Sequence, residues 1–303
     1  MDSLSCHCQS IVAIYLQPCF LFPHFSGTMP GDTSASINDT IPISKGRPFY
    51  PHFTSVLLVG EADFSFARAL ARQNELDILD QDYSSMKITA TEYGSVSDVT
   101  NRYFEGDASI MQQSMANLQE MNAIREIVCG INVRLLGKTN GKEICTGQKW
   151  NAATNSWDNS SPFWATVRGT KMFDLIIFNF PHSNQAGRAA KLIQAFFKQV
   201  RLCVDDLRMS PSVVVEMRLR DQENQSHIRT FYRHIESASS SNFELIGVWE
   251  SDLAHWEALG YSHKWTKKNQ SCRDLGSRSH VWRWKPAESR ATGDHRRAAN
   301  NKE

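Results

Sequence analysis

A short apolar run, Val56–Val59, leads directly into Gly60, Glu61 and Asp63. A glycine after a buried strand permits a tight turn into a helix, and the backbone N–H groups of such a turn can approach a nucleotide-like ligand. The further glycines of a dinucleotide-binding pattern are missing, and the two carboxylates bring negative charge to the place of a pyrophosphate. Acidic side chains are better matched to a cationic ligand, such as a sulfonium that also carries an amino group. An ordinary strand-to-helix turn is the alternative interpretation.

The most hydrophobic predicted strand, Phe173–Phe178, is followed by Asn179, Phe180, Pro181 and His182. The amide of Asn179 can present a donor and an acceptor to the edge of a planar base. The ring of Phe180 can stack on such a base, and His182 can hold or remove a proton near neutral pH. These groups at one strand end predict a site for a planar base, although a lone histidine in a loop is more often solvated than catalytic.

A third segment, Gly260–Lys268, interleaves aromatic, hydrogen-bonding and cationic side chains, among them Tyr261 and His263. Such a mixture suits stacking on unpaired bases and contacts with phosphates. A solvated basic loop explains the same residues equally well.

Seven cysteines, an odd number, are scattered along the chain, which favours a reducing compartment over a disulfide framework. Cys6, Cys8 and Cys19 lie near histidines at the N-terminus, but no second cysteine pair follows at the spacing of a zinc finger. We therefore expect no metal site.

The elements that must position these residues alternate between strand-like runs and helical periodicity. This alternation predicts an α/β fold with a mostly parallel, doubly wound sheet, and the last two strands, with no helix between them, predict an antiparallel edge. The predicted helices are Phe64–Arg72, Ile110–Val128 and two amphipathic segments, Ile193–Val200 and Ile228–Ile235. The predicted strands are Val56–Val59, Lys87–Thr91, Ile131–Leu136, Phe173–Phe178, Val213–Met217, Phe243–Trp249 and His280–Trp284.

Composition divides the chain into a disordered N-terminal extension (1–45), one domain (46–286) and a disordered basic tail (287–303). The apolar stretch 11–22 lacks the basic start of a signal peptide and is interrupted by Gln17 and Pro18, so a disordered extension, or a true start at Met29, is the favoured interpretation. We expect ordered structure to begin near Phe53. Residues 137–169 form an insertion with no sustained period; loops of this length are functional or disordered, and disorder is the first expectation.

The charge of the chain is unevenly distributed. Lys and Arg total 33 against 32 Asp and Glu, which gives no whole-chain electrostatic argument for nucleic acid or membrane. From residue 264 to the end, however, there are 11 Lys and Arg against 4 Asp and Glu, a local net charge of +7. The remainder carries −6, because the whole chain has a net charge of +1. A mildly acidic domain followed by a basic segment is suited to non-specific attraction of phosphates.

Three of these segments, Leu57–Phe66, Phe173–His182 and Leu259–Thr266, occur in an order that resembles the Rossmann-like methyltransferase family of the fungal 25S rRNA (uridine-N3) methyltransferase. With Ala90–Tyr93 after the second strand, the resemblance covers about residues 54–266. It implies S-adenosylmethionine as cofactor and a uridine of RNA as substrate. Among RNAs, rRNA is the favoured substrate. It also implies a protein of the nucleolus or cytoplasm that is not secreted; we expect a monomer with no membrane partner.

The resemblance assigns roles by position. Gly60, Glu61, Asp63 and Phe64 would form the methionine side of the cofactor pocket, Glu92 would meet the ribose, and Asn140 would bond the adenine. The catalytic positions would be Asn179, which also touches the cofactor, Phe180 and His182, with Pro181, Tyr261 and His263 against the RNA. The chain departs from the family pattern at Ala62, at Gly94 and at Lys138–Asn140.

Three hypotheses follow. An RNA methyltransferase uses all three segments. A non-catalytic RNA-binding or ribosome-assembly factor that keeps the fold would explain the departures at Ala62 and Gly94. A nicotinamide oxidoreductase fits worst, because the glycine pattern is incomplete and hydride transfer has no use for the sequence Asn-Phe-Pro-His.

Overall fold

A single sheet of eleven strands organises the described part of the chain. The computed structural model describes residues 43–44, 50, 53–80, 85–138, 144–166, 173–179, 181, 186–206, 209–220, 236–238, 240–262 and 277–285. All of these belong to one compact unit, Thr40–Glu303.

The strands are β1 Ile43–Ser44, β2 Ser55–Val59, β3 Lys87–Glu92, β4 Ile124–Cys129, β5 Thr146–Asn151, β6 Ser156–Trp157, β7 Ser161–Pro162, β8 Phe173–Asn179, β9 Met209–Arg220, β10 Phe243–Glu250 and β11 Ser277–Trp284. The longer described helices are α1 Ser65–Asp80, α2 Val96–Tyr103, α3 Ala108–Gln119, α4 Phe163–Thr166, α5 Ala186–Asp205 and α6 Leu253–Ala258. A 3₁₀ turn spans Val133–Leu135.

The strand order is β1-β10-β11-β9-β8-β2-β3-β4-β5-β6, with β7 paired to β5. The five central strands, from β9 to β4, run parallel, whereas β11 is antiparallel to both β9 and β10. This confirms the mostly parallel α/β sheet and the antiparallel pairing of the last two strands. The reversed strand β11 lies between β9 and β10, and antiparallel β5 begins the opposite edge.

Alternate residues of the central strands face two hydrophobic layers, as the period of two along a strand requires. In β2, Val56 and Leu58 pack under α1 and α3, while Leu57 and Val59 pack under α5. All five residues of β2 are buried, which explains the continuous apolar run. The predicted helical face of Ile193, Phe196, Phe197 and Val200 is buried in the second layer.

The predicted third strand, Ile131–Leu136, was wrong. The strand is β4, which ends at Cys129, because Gly130 has a φ of +86° and turns the chain. Asn132 then accepts a hydrogen bond from the Arg134 N–H at 3.0 Å and starts the 3₁₀ turn. The predicted helix Ile110–Val128 likewise ends earlier, since α3 stops at Gln119.

The insertion is ordered where the structure describes it, so disorder was the wrong expectation for residues 144–166. Strand β5 extends the sheet beyond β4, and the ring of Trp150 packs edge-on against Trp157 at 5.5 Å between centroids. Trp164 donates its indole N–H to the carbonyl of Leu136 at 2.6 Å. Tertiary contacts of the tryptophans hold this segment in place. Such contacts do not produce the regular hydrophobic spacing of a helix or strand in the sequence.

Structure also begins before Phe53. Strand β1 pairs in parallel with β10, and the side chain of Tyr50 is buried in the core. The predicted helix Ile228–Ile235 and the basic tail 287–303 lie outside the described residues.

Candidate functional site

Three positions of the candidate site meet at one edge of the sheet. Strand β2 lies between β3 and β8, and all three run parallel, so their carboxyl ends share an edge. Gly60 follows β2, Glu92 ends β3 and Asn179 ends β8. Ligands of open α/β sheets bind in the crevice at this edge.

The turn after β2 is tightly wound. Gly60 has a φ of +72°, and Ala62 and Phe64, at +57° and +61°, also occupy the left-handed region that side chains disfavour. A Cβ at position 60 would lie 3.2 Å from the ring of Phe178, a tight contact, so packing as well as conformation favours glycine there. Two non-glycine residues in this conformation cost on the order of 1 kcal/mol each, which is typical of functional turns.

Glu61 turns its carboxylate inward. One oxygen accepts a hydrogen bond from Asn179 Nδ2 at 2.9 Å and the other from the Ala67 N–H at 2.8 Å. Burial raises the pKa of Glu61 to about 8, and the negative charge of Asp63 adds to the rise; the bonds from Asn179 and Ala67 and the charge of Arg218 oppose it. Glu61 therefore ties the turn to β8 and to α1.

Asn179 is held by that bond in one orientation. Its Nδ2 is used by Glu61, while its Oδ1 is buried and has no partner among the described residues. A buried acceptor without a partner costs about 1–3 kcal/mol. The site therefore offers one oriented acceptor to the donor of a ligand.

Glu92 is hydrogen-bonded to the turn after β2 and to the turn after β3. Its oxygens accept from the N–H of Ala62 at 2.8 Å and from the N–H of Gly94 at 3.3 Å, and burial raises its pKa. A carboxylate accepts about four hydrogen bonds, so ribose contact remains compatible with both. Beside it, the ring of Tyr93 is 65% exposed.

Asp63 and Phe64 lie at the start of α1, and only Phe64 differs from its predicted placement in the pocket wall. Asp63 Oδ1 accepts from the Ser65 N–H at 3.0 Å and so caps the start of α1. The Phe64 side chain is wholly buried in the core. Since its φ of +61° turns the ring inward, we correct its assignment: only its backbone lies at the turn.

The third segment docks on the first. Ser65 Oγ donates to the Ser262 carbonyl and accepts from the Ser262 N–H, both at 3.1 Å. The ring of Tyr261 is buried edge-on against Phe66, with 5.6 Å between centroids. Tyr261 was predicted to lie against the RNA, but its buried ring belongs to the core, and the adjacent Ser262 is held at the start of α1.

A buried ion pair lies beside the site and was not predicted from the sequence. Arg218, the register partner of Asn179 on β9, donates from Nε to Glu216 Oε1 at 3.0 Å. Its guanidinium also donates to the hydroxyl of Tyr50 at 3.2 Å and stacks 4.0 Å from the ring centroid of Phe66. Two charged residues within an apolar strand were the available signal, since such residues are almost never fully buried unless paired.

Several predicted site residues lie outside the described part: Asn140, Phe180, His182 and His263. Pro181 is described and is half-buried after β8. Asn140 was chosen as part of the turn after the third strand, but that strand is β4, which ends at Cys129, and the turn that follows it is Gly130–Asn132. In that turn, the Ile131 N–H donates to the Glu92 carbonyl at 2.8 Å.

Within the described ranges, no group of three or more His, Cys, Asp or Glu side chains is placed to hold a metal ion. Nor does any helix in these ranges have the length and apolar character needed to cross a bilayer.

The strand order, the reversed strand between β9 and β10, the glycine turn after β2 and the carboxylate after β3 together define a Rossmann-like methyltransferase fold. Residues 57–265 match the family described as BMT5-like, rRNA (uridine-N3-)-methyltransferase BTM5-like, and the chain belongs to that family. No match is found among curated protein sequences.

Solved structures similar to the chain include the 16S rRNA methyltransferase KamB, with 11% identity and a TM-score of 0.42, covering 77% of this chain and 88% of that one. A TehB-like SAM-dependent methyltransferase from Corynebacterium glutamicum has 12% identity and a TM-score of 0.36, covering 77% and 80%. A variant 16S rRNA (adenine(1408)-N(1))-methyltransferase from Catenulisporales acidiphilia, solved with SAM, has 9% identity and a TM-score of 0.41, covering 78% and 87%.

Proposed function

We propose that this protein transfers a methyl group from S-adenosylmethionine to N3 of a uridine in rRNA. Membership of the family over residues 57–265 supports the reaction class. The observation that carries the proposal is the oriented Oδ1 of Asn179 at the carboxyl edge of the sheet, which has no partner in the described part of the chain.

The residues present fit the cofactor. Glu61, Asp63 and Glu92 place three carboxylates around the turn, which suits a sulfonium and an ammonium group. Asn179 Oδ1 would accept from the amino group, Gly60 would admit the close approach, and Glu92 would hold the ribose. When bound, the cofactor supplies a methyl group already activated for transfer.

The protein's remaining work is alignment and proton removal. Uridine N3 carries a proton and lies on the Watson–Crick edge, so the base must be unpaired or flipped out of its stack. Asn179 Oδ1 has a second lone pair for the base edge, Phe180 would stack on the ring, and His182 would take the proton. Holding the nitrogen, the methyl carbon and the sulfur in line supplies much of the rate.

Asn179→Ala tests the proposal directly. It removes the oriented acceptor and leaves Glu61 without one donor, so we expect methyl transfer to rRNA to fall at least 100-fold, on the order of one lost transition-state contact. Gln194→Ala removes an exposed amide from α5, in the opposite layer, and serves as the matched control. Full transfer by a folded Asn179→Ala variant contradicts the assignment.

A further inference from the structure

An open polar groove of about 770 Å³ runs along α1 and α3. None of the described residues that line it is an aspartate or a glutamate. The polar lining residues are Arg68, Arg72, Ser109, Gln113, Ser114 and Asn117.

Two of these residues are cations on one helix face. Arg68 and Arg72 are four residues apart on α1, so their side chains are neighbours on its surface. Arg68 donates to Ser114 Oγ at 2.9 Å, and Arg72 donates to the Leu259 carbonyl at 2.9 Å. A guanidinium has five N–H groups, so one internal bond fixes each head group and leaves donors for a ligand.

One acidic residue close to this lining in sequence is already hydrogen-bonded. Asp107 precedes α3, and its carboxylate accepts from the N–H groups of Ser109 at 2.8 Å and Ile110 at 3.3 Å. These bonds lower the pKa of Asp107, with the bond from the Ser109 hydroxyl as the largest cause. The carboxylate is thus held against the first turn of α3.

Helix α1 links the groove to the candidate site. Helix α1 begins at the turn after Gly60, Ser65 binds Ser262, and Arg72 binds the carbonyl of Leu259 in the same segment. Along α3 the lining extends from Ser109 to Asn117, which at 1.5 Å per residue is about 12 Å. A single phosphate would not span that length, whereas a run of nucleic-acid backbone would.

We propose that this groove binds the sugar-phosphate backbone of single-stranded RNA next to the target nucleotide. The inference rests on the proposed function and deepens it. The two arginines contact phosphates, and the amides of Gln113 and Asn117, joined by a 2.8 Å hydrogen bond, contact phosphate or ribose oxygens. Such contacts position the RNA without reading its sequence.

The test is the salt dependence of binding to a fluorescent oligouridylate, measured for the full chain. Arg68→Gln removes one charge, and Gln113→Glu adds a repulsive charge to an exposed position. For each we expect roughly tenfold weaker binding at low salt, the scale of one charged hydrogen bond. Arg68→Gln should also reduce the slope of log K against log salt by about 0.7, the value for one phosphate contact on a single strand.

Arg201→Gln on α5 is the control, because it removes one exposed arginine charge from the opposite layer. S-adenosylmethionine affinity, measured by calorimetry, should be unchanged in all three variants and shows that each is folded. Wild-type affinity and slope in Arg68→Gln and Gln113→Glu overturn the groove proposal, as does an equal loss in Arg201→Gln. If the wild-type protein binds the cofactor and transfers no methyl group, the proposed function fails while the groove result still stands by itself.

Discussion

The pair formed by Glu61 and Asn179 is the chemical centre of the site. Sequence reasoning selected both residues from separate strand ends, but predicted a contact of Glu61 with the cofactor. The structure turns the Glu61 carboxylate toward Asn179 Nδ2 and the backbone of α1 instead. Glu61 still bears on the site, because it orients the amide of Asn179, and under the proposed function its ionised form would balance the cationic cofactor.

Cofactor affinity should rise with pH through about 8. The pKa of Glu61 is raised to about 8 by burial, so below that pH the folded protein holds a proton that a cationic ligand must displace. We expect affinity for S-adenosylmethionine to rise by up to about tenfold per pH unit below the pKa, with proton release on binding. Calorimetry in buffers of different ionisation heat measures both.

Glu61→Gln is the control for that titration, because a glutamine side chain does not ionise. The pH profile of this variant therefore reports the titration of the cofactor alone and corrects for it. We expect its profile to lose the part due to Glu61. Identical profiles for the variant and the wild type would show that Glu61 does not titrate with binding.

Gly60→Ala should lose both stability and cofactor affinity. The new methyl group would meet the Phe178 ring at 3.2 Å in a backbone conformation with φ +72°. Gly106→Ala is the matched control, since φ there is +79° but the nearest atom is an ordinary 3.6 Å away. We expect both variants to lose about 1–2 kcal/mol of unfolding free energy. Gly60→Ala alone should weaken cofactor binding; equal cofactor affinity in the two variants would contradict a role for this turn.

At the scale of elements, the alternation of strands and helices along the chain was predictable, but several of their boundaries were not. Buried parallel strands such as β2 and β8 are continuous apolar runs bounded by turns, and these were placed to within one or two residues. Strand β4 was misplaced because Ile124–Cys129 contains Arg125 and Glu126, which interrupt the apolar run. A tertiary contact stabilises this strand instead: the Lys149 ammonium lies 2.8 Å from Glu126 and supports that residue within the sheet.

The residues of the candidate site show the same difference between local sequence patterns, which are predictable, and tertiary contacts, which are not. Gly60 and Asn179 were selected because each follows an apolar strand, and Glu92 because the family resemblance gives a role to the end of the second strand. The core role of Tyr261 was missed because its partner Phe66 is distant in sequence, and no local pattern reports such a contact. The same reason hid the bond of Arg218 to Tyr50.

Ser65→Ala tests the docking of the third segment on α1. The change removes both hydrogen bonds to Ser262 and should lower the unfolding free energy by about 1–2 kcal/mol. Hydrogen exchange over residues 259–262 should become faster. Ser97→Ala, an exposed serine at the start of α2, should leave that segment unchanged. Unaltered exchange in Ser65→Ala would mean that other contacts hold the segment.

At the scale of the whole molecule, the near-zero net charge is a cancellation between an acidic body and a basic C-terminal segment. The acidic part includes the carboxylates that suit a cationic cofactor, and the groove along α1 and α3 is an exception within it. RNA attraction is therefore local, which makes it sensitive to salt.

Deletion of the residues after Pro286 should weaken RNA binding and reduce its salt dependence. The segment lies outside the described residues, and its four Lys and Arg against three Asp and Glu give it a net charge of only +1, so we expect the decrease to be small. Titration with RNA at several salt concentrations measures both quantities, and methyl transfer at saturating RNA should persist. If the truncated protein had the salt dependence of the wild type, the deleted segment would take no part in RNA binding.

The most direct measurement is mass spectrometry of nucleosides from rRNA incubated with the protein and S-adenosylmethionine. The account predicts that the wild-type protein forms 3-methyluridine and that Asn179→Ala does not, while Gln194→Ala matches the wild type. A folded wild-type protein that binds RNA and forms no methylated nucleoside would contradict it and favour a non-catalytic RNA-binding role.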